Sequence, residues 1–404
     1  MKKYWLNLFP GTFLWLKNGK ALLYNTDNQL SFVINCSSEI EDICKKFLLL
    51  ENLYTIEMEQ NQILESTVCK FIEEIEQTGS GVLVERNEIN TRPVSYFPYF
   101  KLQKNVEYLK LEHGWGIGEA VTNNLHEVTL YLNGSKNGNN SFYKQIHYPV
   151  DLDGSLDVDS AISFISEFKG GNIHKINIVG DICNYRDFEF LLDWLLSQKF
   201  DVQLFLLIED LHVGDHFFEK CFVKGVNINL IINDVSSFSR LVDLEHDVLL
   251  KVKPVFAASS EYEAEKFSDI MVKYGIEDYD ILPLFTGKNH DFFERFVFTT
   301  NDDIENIKLS KREIFVNMAL NIHFYGKITV MPDQKVYANV NNAPLGFIGD
   351  PVYNMIYKEM TEGQSWLRIR NIKPCCDCIY QWLCPSPSNY ELVIGKANLC
   401  HVFA

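Results

Sequence analysis

Half of the cysteines in this 404-residue chain fall within its last thirty positions. Five of the ten lie between Cys375 and Cys400, whereas the other five are scattered singly through the first 221 residues. Cys375 and Cys378 form a Cys-x2-Cys pair, Cys384 follows after five residues, and Cys400 completes the set. Four thiolates fill the coordination shell of a tetrahedral zinc or of an iron–sulfur cubane. The spacing therefore predicts a metal site whose ligands are Cys375, Cys378, Cys384 and Cys400.

Other interpretations of the cysteine-rich tail stay open. The thiols could be structurally idle or form a redox disulfide, and His401 could replace Cys400 in a zinc site. Cys376 is a fifth thiol directly after Cys375. Because adjacent side chains point in different directions, we expect Cys376 to be a bystander.

Length, charge and the first residues narrow the class of protein. A chain of 404 residues predicts two or three domains. Its net charge of −17 argues against a general nucleic-acid binder, because phosphates need a cationic surface. The first ten residues lack the apolar core of a signal peptide, and no apolar stretch reaches membrane-spanning length. We therefore expect a cytoplasmic protein that contacts no membrane, in which a cysteine cluster indicates a metal site.

Hydrophobic periodicity predicts a small α+β unit followed by alternating strands and helices. The first unit has helices over Ser38–Glu51 and Ser66–Thr78, and Thr91–Pro98 resembles a linker. From about residue 125, near-continuous apolar strands alternate with amphipathic helices, which favours a parallel sheet in a partial (β/α) barrel. The predicted strands are Glu127–Asn133, Lys175–Gly180, Val202–Glu209, Val226–Asn233, Val248–Phe256 and Asp280–Phe285. The predicted helices lie near Asp157–Phe168, Asp187–Ser197, Asp215–Val223, Ser236–Leu244 and Glu261–Tyr274.

After residue 320 the alternation stops. Gly326–Asn339 predicts a β-hairpin, and Val352–Met360 predicts a short helix before the cysteine-rich tail. In the tail, the run Cys384-Pro-Ser-Pro-Ser-Asn-Tyr-Glu and the cysteine spacing resemble the SPASM domain, the C-terminal extension of peptide-modifying radical SAM enzymes.

This resemblance implies an α/β fold in three parts. Residues 1–95 are similar to a winged-helix-like (PqqD-like) precursor-recognition domain, 96–320 to a partial (β/α)6 radical-SAM-like barrel, and 321–404 to a SPASM-like cysteine-rich domain. Among such proteins, the chain resembles the pseudo-radical-SAM proteins of a Bacteroidales system that modifies Gly-Gly-leader peptides.

The chain departs from the SPASM pattern at one of its two auxiliary [4Fe–4S] clusters. Cys375, Cys378, Cys384 and Cys400 match the ligands of the outer cluster. At the other cluster, Ser388 stands where a cysteine is expected, and Asn339 or Asn341 occupies the hairpin position. The resemblance therefore implies a single [4Fe–4S] cluster, with Zn²⁺ as the alternative.

A second departure concerns the barrel. Radical SAM enzymes carry Cys-x3-Cys-x2-Cys after the first strand, where three thiolates hold the cluster that binds S-adenosylmethionine. Here the loop Gly134–Gln145 contains no cysteine, and none lies between Cys69 and Cys183. The Gly-Gly-Glu-Pro motif is reduced to Val179-Gly-Asp-Ile-Cys. Asn, Ser and Lys cannot replace three soft thiolates around iron, so we expect neither radical chemistry nor productive S-adenosylmethionine binding.

The remaining candidates are weaker. His212 and His216 have ligand spacing, but Gly214 interrupts any helix between them. Cys183, with Asp181 and Tyr185 in the same loop, is expected to be packed rather than reactive. The histidines His147, His174 and His290 are expected to be packed or solvated. The aromatic stretch Leu6–Trp15 could either accept a peptide as an added strand or belong to the core.

We therefore expect a non-catalytic radical-SAM-like protein. It would bind a ribosomal precursor peptide, an active radical SAM partner, or both, and it would carry one [4Fe–4S] cluster. The alternative is a peptide maturase with non-radical chemistry in the barrel, or the same scaffold with a structural zinc.

Overall fold

The computed structural model describes residues 2–87, 89, 91–99, 122–168, 171–211, 216–237 and 251–402. Over these ranges the chain is a mixed α/β structure whose largest element is a nine-stranded, mainly parallel sheet. Two three-stranded antiparallel sheets precede it in the chain. No helix within the described ranges is both long and apolar enough to cross a membrane.

The first 85 residues build a hydrophobic core of their own. Helices α1 and α3 bury one face each against the strands, and in α1 the buried positions Ile40, Ile43 and Phe47 recur three and four residues apart. The sheets have the orders β5-β1-β6 and β2-β3-β4. The elements are β1 (Lys3–Leu8), β2 (Thr12–Lys17), β3 (Lys20–Asn25), β4 (Leu30–Asn35), α1 (Ser38–Phe47), β5 (Thr55–Glu59), α2 (Gln60–Ile63), α3 (Ser66–Gln77) and β6 (Gly81–Glu85).

Helix α1 ends at Phe47, four residues before the predicted end. The chain turns into β5 through Leu53 and Tyr54, which both have positive φ angles of 48° and 55°. The helix itself stops earlier, because Leu49 is extended, with φ −77° and ψ 122°.

The central part of the chain alternates between strands and helices, as predicted. The strands β7 to β12 pair in parallel and in sequence order. The elements are β7 (Glu127–Tyr131), α4 (Val158–Ser166), β8 (Lys175–Val179), α5 (Phe188–Ser197), β9 (Asp201–Leu207), α6 (His216–Val223), β10 (Asn227–Ile232), β11 (Lys253–Ala258), α7 (Glu261–Tyr274) and β12 (Asp280–Pro283).

The two faces of the sheet differ in chemistry. Val128 and Leu130 point to the face that the helices cover, where they join the largest hydrophobic core. The alternate residues Glu127, Thr129 and Tyr131 point to the opposite face, which we call the inner face. Polar side chains therefore line the inner face of β7.

The last part of the chain adds to this sheet. Strand β13 pairs in parallel with β7, so the predicted hairpin extends the sheet across the expected boundary at 320/321. The full order is β12-β11-β10-β9-β8-β7-β13-β14-β15, with β12 and β15 at the edges. The elements are α8 (His290–Phe296), α9 (Asn301–Glu305), α10 (Lys311–Ala319), β13 (Lys327–Val330), β14 (Lys335–Tyr337), β15 (Gly346–Phe347), α11 (Val352–Glu362) and α12 (Asn389–Ile394).

Several predicted features fall at the limits of the described ranges. Only the start of the predicted helix Ser236–Leu244 is described, as a short 3-10 turn, and the first three residues of the predicted strand Val248–Phe256 lie outside. His212 also lies outside the described residues, as does the side chain of His216. The expectation that these two histidines do not form a metal site therefore stays a prediction.

The sheet β2-β3-β4, which we call the N-terminal sheet, packs against the C-terminal part of the chain. Phe13 and Tyr24, on adjacent strands, contact a cluster that includes Ile314, Ile379 and Leu383. Leu6, Leu8 and Leu14 lie instead in the core of the N-terminal unit. The stretch Leu6–Trp15 thus serves packing on both of its faces.

Candidate metal centre and inner-face cavity

The four predicted ligand cysteines line one small cavity. Cys375 begins a 3-10 turn, Cys375–Asp377, after which Cys378 and Cys384 reach the same space. Cys400 arrives from the end of the chain, where a parallel bridge to Thr299 positions it. The structure therefore brings together side chains that the sequence separates by up to 25 positions.

The cavity supplies positive charge and hydrogen-bond donors to the thiols. A guanidinium nitrogen of Arg370 lies 3.9 Å from the Cys375 sulfur. The backbone N–H of Tyr380 donates to the Cys378 sulfur at 3.2 Å, and that of Val402 donates to the Cys400 sulfur at 3.3 Å. Such donors stabilise a thiolate and tune an iron–sulfur cluster.

Burial works against ionisation of two of these thiols. Desolvation raises the pKa of Cys384 to about 12, although the Arg370 cation lowers it. Desolvation likewise raises the pKa of Cys378 to about 11. The other three thiols of the set also act on Cys384, which means that all four stand within electrostatic reach of one another.

The guanidinium of Arg370 is itself held in place. Its side chain is only 11% exposed and pairs with Glu391 at 2.9 Å, and its Nε donates to the Pro385 carbonyl at 2.7 Å. The buried ion pair with Glu391 fixes the Arg370 cation beside the thiols. A positive charge in this position stabilises the negatively charged thiolate form.

Two neighbouring residues stay outside the cavity lining. Cys376 contacts Asp377, with its sulfur 3.6 Å from the carboxylate. The His401 ring bonds the carbonyl of Glu294 at 2.5 Å. Neither residue is placed to join the four thiols.

The described residues hold no group of three or more histidine, cysteine, aspartate or glutamate side chains arranged to bind a metal ion. In a tetrahedral zinc site, bonds of about 2.3 Å place the sulfurs only about 4 Å apart. A cubane is also held by four thiolates. The donor set of thiols, N–H groups and one arginine has the chemistry that either group requires.

A second site, where the resemblance implies a lost cluster, contains amide side chains. Asn389 accepts hydrogen bonds from Asn339 at 2.8 Å and from Asn341 at 3.0 Å. Asn341 also donates to the Lys144 carbonyl at 2.8 Å. Ser388 caps helix α12 with its hydroxyl. The amides thus connect the hairpin, the tail and the loop after β7.

The loop after β7 is held by polar contacts as well. Asp210 accepts hydrogen bonds from Ser135 at 2.9 Å and from Asn137 at 2.8 Å. Gly134 allows the close approach of two backbone segments, because a Cβ there would lie 1.8 Å from the Leu152 carbonyl oxygen. Gln145 exchanges two hydrogen bonds with the backbone of Phe285, at 2.9 and 2.8 Å. This loop is therefore tied to β9, to the end of β12 and to the hairpin.

Aromatic residues of the same loop cover part of the inner face. Phe142 and Tyr143 pack with Tyr148 against Leu207 and Ile231 of the sheet. The loop after β7 therefore contributes to a small hydrophobic core. Sequence patterns did not predict this packing, because loop aromatics have no fixed periodicity.

Next to this packing, the inner face has a cavity of about 270 Å³ with several ionisable groups. Glu127 is 7% exposed and accepts a hydrogen bond from Asn177 at 2.7 Å. Its other oxygen faces the ammonium groups of Lys327 at 3.5 Å and Lys175 at 3.9 Å. Those cations lower the pKa of Glu127 despite its burial.

An imidazole shares this cavity with the carboxylate. His147 lies 4.5 Å from Phe205, measured between ring centroids, and burial lowers its pKa to about 4. His323 also lines the cavity, and burial lowers its pKa too. With both pKa values lowered, the His147 imidazole and the Glu127 carboxylate are both deprotonated at neutral pH, so each can accept a proton and neither carries one to donate.

Sequence reasoning missed this cavity. His147 stood alone in the sequence, and Glu127, His323 and Lys327 were not singled out. Their shared feature is position: Glu127 and Lys327 begin adjacent parallel strands. A charged residue at the start of an otherwise apolar strand is the signal that could have indicated them.

The candidate residues in the loop after β8 make packing and hydrogen-bond contacts. Cys183 lies in the 3-10 turn Ile182–Asn184, where it lines a cavity with Cys221. Tyr185 donates to the Leu156 carbonyl at 2.7 Å, and the backbone oxygen of Asp181 accepts from Asn133 at 2.8 Å. These contacts are structural.

Comparison with known proteins gives distant likenesses. No protein-family profile matches the sequence, and no curated protein matches it. The structure resembles Streptococcus suis SuiB bound to its precursor peptide SuiA, with 12% identity, 98% of both chains covered and a TM-score of 0.43. SuiB bound to S-adenosylmethionine gives 11% identity, 98% of both chains and a TM-score of 0.43. The protein anSMEcpe with bound AdoMet gives 11% identity over 68% of this chain and 100% of that chain, with a TM-score of 0.44.

The His147 environment predicts a pH dependence of stability. Its folded pKa of about 4 lies below the unfolded value of about 6.5, so its contribution is complete above pH 6.5 and is lost as the pH falls towards 4. The full effect is on the order of 3 kcal/mol. Urea unfolding at pH 7, 6 and 5 should therefore show a flatter profile for His147→Gln than for the wild type.

The matched control for this measurement is His174→Gln, since His174 is exposed to solvent. It should keep the wild-type profile. Parallel profiles for the wild type and His147→Gln would contradict the buried, neutral state of this imidazole.

Proposed function

We propose that this protein is a non-catalytic relative of radical SAM enzymes that binds a ribosomal precursor peptide and an active radical SAM partner. One [4Fe–4S] cluster, held by Cys375, Cys378, Cys384 and Cys400, would stabilise its tail. The observation that carries the proposal is a contrast. Four thiols share one cavity in the tail, whereas the loop after β7 is built from hydrogen-bonded amides and packed aromatics.

The proposed cluster has a structural role in a part of the chain that contains few strands or helices. Between α11 and the end of the chain, the described elements are one short helix and a 3-10 turn. Metal binding contributes directly to folding in such segments, because the free energy of ligation becomes free energy of folding. Residues 321–404 are therefore proposed as a SPASM-like domain and 96–320 as the barrel.

The first test of this proposal is the metal content. Protein purified without oxygen should carry about four irons per chain. Cys384→Ser should lose most of the iron, because it removes one of the four thiolates. Cys376→Ser is the matched control and should keep the full load, because Cys376 lies outside the cavity lining. One zinc per chain would favour the zinc alternative, and a metal-free wild type would refute the proposed site.

The second test concerns radical chemistry. Incubation of the iron-loaded protein with S-adenosylmethionine and a strong reductant should release no 5′-deoxyadenosine above a protein-free control. The reason is that the loop after β7 offers asparagine and serine where three thiolates are needed. An active radical SAM enzyme in a parallel reaction verifies the assay. Stoichiometric or catalytic release would contradict the non-catalytic assignment.

A peptide could bind at the outer edge of the N-terminal sheet β2-β3-β4. In the described residues β4 pairs with β3 alone, so its other edge is available for an added strand. The N–H of Cys36 donates to the Gly19 carbonyl, so even-numbered N–H groups of β4 face β3. The N–H groups of Ser31, Val33 and Asn35 consequently face outward. Residues 1–95 are proposed on this basis as the precursor-recognition domain.

Proline at an outward position tests this site. Val33→Pro removes one outward N–H without breaking a bond to β3, so the fold should persist. Binding of a Gly-Gly-leader precursor peptide should weaken about fivefold, since a lost hydrogen bond contributes about 1 kcal/mol. Fluorescence anisotropy with a labelled peptide measures the affinity. Val33→Thr keeps the N–H and should bind like the wild type; equal binding by the proline variant would exclude this edge.

The second candidate function is peptide maturation by non-radical chemistry, which the inner-face cavity favours. Glu127, His147 and Lys327 line it together, which places two proton acceptors beside a cation. Mass spectrometry of a precursor peptide after incubation with this protein alone distinguishes the two functions. Modification without 5′-deoxyadenosine would favour the maturase.

A further inference from the structure

The hairpin between β2 and β3 projects towards the cysteine-rich tail. Its two turn residues, Asn18 and Gly19, have φ angles of 49° and 71°. Two consecutive left-handed residues define a type I′ turn, which fits the twist of a hairpin and holds its tip rigidly. Lys17 and Asn18 are therefore presented in a fixed position.

The tip of this hairpin contacts the turn that carries two of the proposed ligands. The ammonium of Lys17 donates to the Cys376 carbonyl at 2.7 Å. The side chain of Asn18 donates to the Asp377 carbonyl at 2.8 Å. Both accepting residues lie between Cys375 and Cys378. The hairpin thus fixes the backbone that separates these thiols.

Lys17 also reaches the cavity through a side chain of its lining. Its ammonium donates to the Gln381 amide oxygen, and the Gln381 amide nitrogen donates to the Arg370 carbonyl at 2.6 Å. Gln381 and Arg370 both line the thiol cavity. A continuous series of contacts therefore links the hairpin tip to the cation beside Cys375.

Apolar packing extends this contact between distant parts of the chain. Phe13 and Tyr24 on the same two strands pack with Ile379, which directly follows Cys378, and with Leu383, which directly precedes Cys384. The ring of Trp382 lies 5.9 Å from the Lys17 ammonium. The segment that holds three ligands therefore has the thiol cavity on one side and the N-terminal sheet on the other.

We propose that the N-terminal hairpin is part of the metal site, with Lys17 as a positioning residue that holds the Cys375–Cys378 turn and Gln381 in place. Metal binding in the tail and docking of the N-terminal unit then stabilise each other. Thermodynamic linkage requires the coupling to be equal in both directions. This inference rests on the proposed metal site, and it adds that the recognition unit senses whether that site is loaded.

The first experiment measures metal retention. Full-length protein loaded without oxygen is mixed with an excess of a chelator, and the loss of cluster absorbance is followed. Lys17→Met should release metal at least about fivefold faster than the wild type, the lower end of usual coupling strengths. Lys17→Arg keeps a cation with several donors and should restore retention. Lys20→Met removes an exposed lysine from the same hairpin and should leave the rate unchanged.

The second experiment measures docking in the wild-type chain, so it does not depend on whether a variant folds. Hydrogen exchange of residues 12–25 should be at least about fivefold faster in metal-free than in metal-loaded protein. Residues 127–131 lie in the centre of the sheet and should exchange equally in both forms.

The outcomes separate the inference from the function on which it rests. Faster release from Lys17→Met, rescue by Lys17→Arg and metal-dependent exchange of residues 12–25 would support the coupling. A loaded wild type whose hairpin exchanges at the metal-free rate, or a Lys17→Met variant that retains metal normally, would overturn the coupling alone. A wild type that binds no metal at residues 375–400 would overturn both.

Discussion

The placement of four thiols around one cavity is the constraint on which the C-terminal part of this structure depends. Removing the thiols from water raises the pKa of Cys378 and Cys384, which opposes the thiolate form that a metal requires. The surrounding chain offsets this cost with the Arg370 cation and with backbone N–H donors. Arg370 is in turn neutralised by Glu391, so a buried ion pair, a turn and the chain end are fixed together.

Outside the cysteine cavity, asparagine side chains join segments that are distant in the sequence. Asn339, Asn341 and Asn389 link the hairpin, the loop after β7 and the tail, at the place where the resemblance implies a second cluster. Ser135 and Asn137 hold the loop after β7 to Asp210. An amide side chain both donates and accepts, so a few asparagines can join segments without any metal. The loop after β7 and the hairpin are held to neighbouring segments in this way.

These contacts divide the molecule into regions with different consequences for function. The N-terminal sheet has one face in its own core, the other against the tail, and one edge strand that faces outward. The inner face of the large sheet combines packed aromatics with an ionised carboxylate and a neutral imidazole. The outward edge of the N-terminal sheet and the inner-face cavity are thus separate places, and the cysteine segment lies against the N-terminal sheet.

The sequence by itself determined the alternation of strands and helices, the parallel sheet and the four cysteines of one cavity, because these depend on local periodicity and on residues close in the chain. Tertiary structure alone decided the rest. The pairing of β13 with β7 places Lys327 beside Glu127, two hundred residues earlier, and a loop residue, His147, completes that cavity. The same holds for Lys17, whose partners lie more than 350 positions away. Contacts of this range depend on how elements pack, and no local pattern of side chains encodes them.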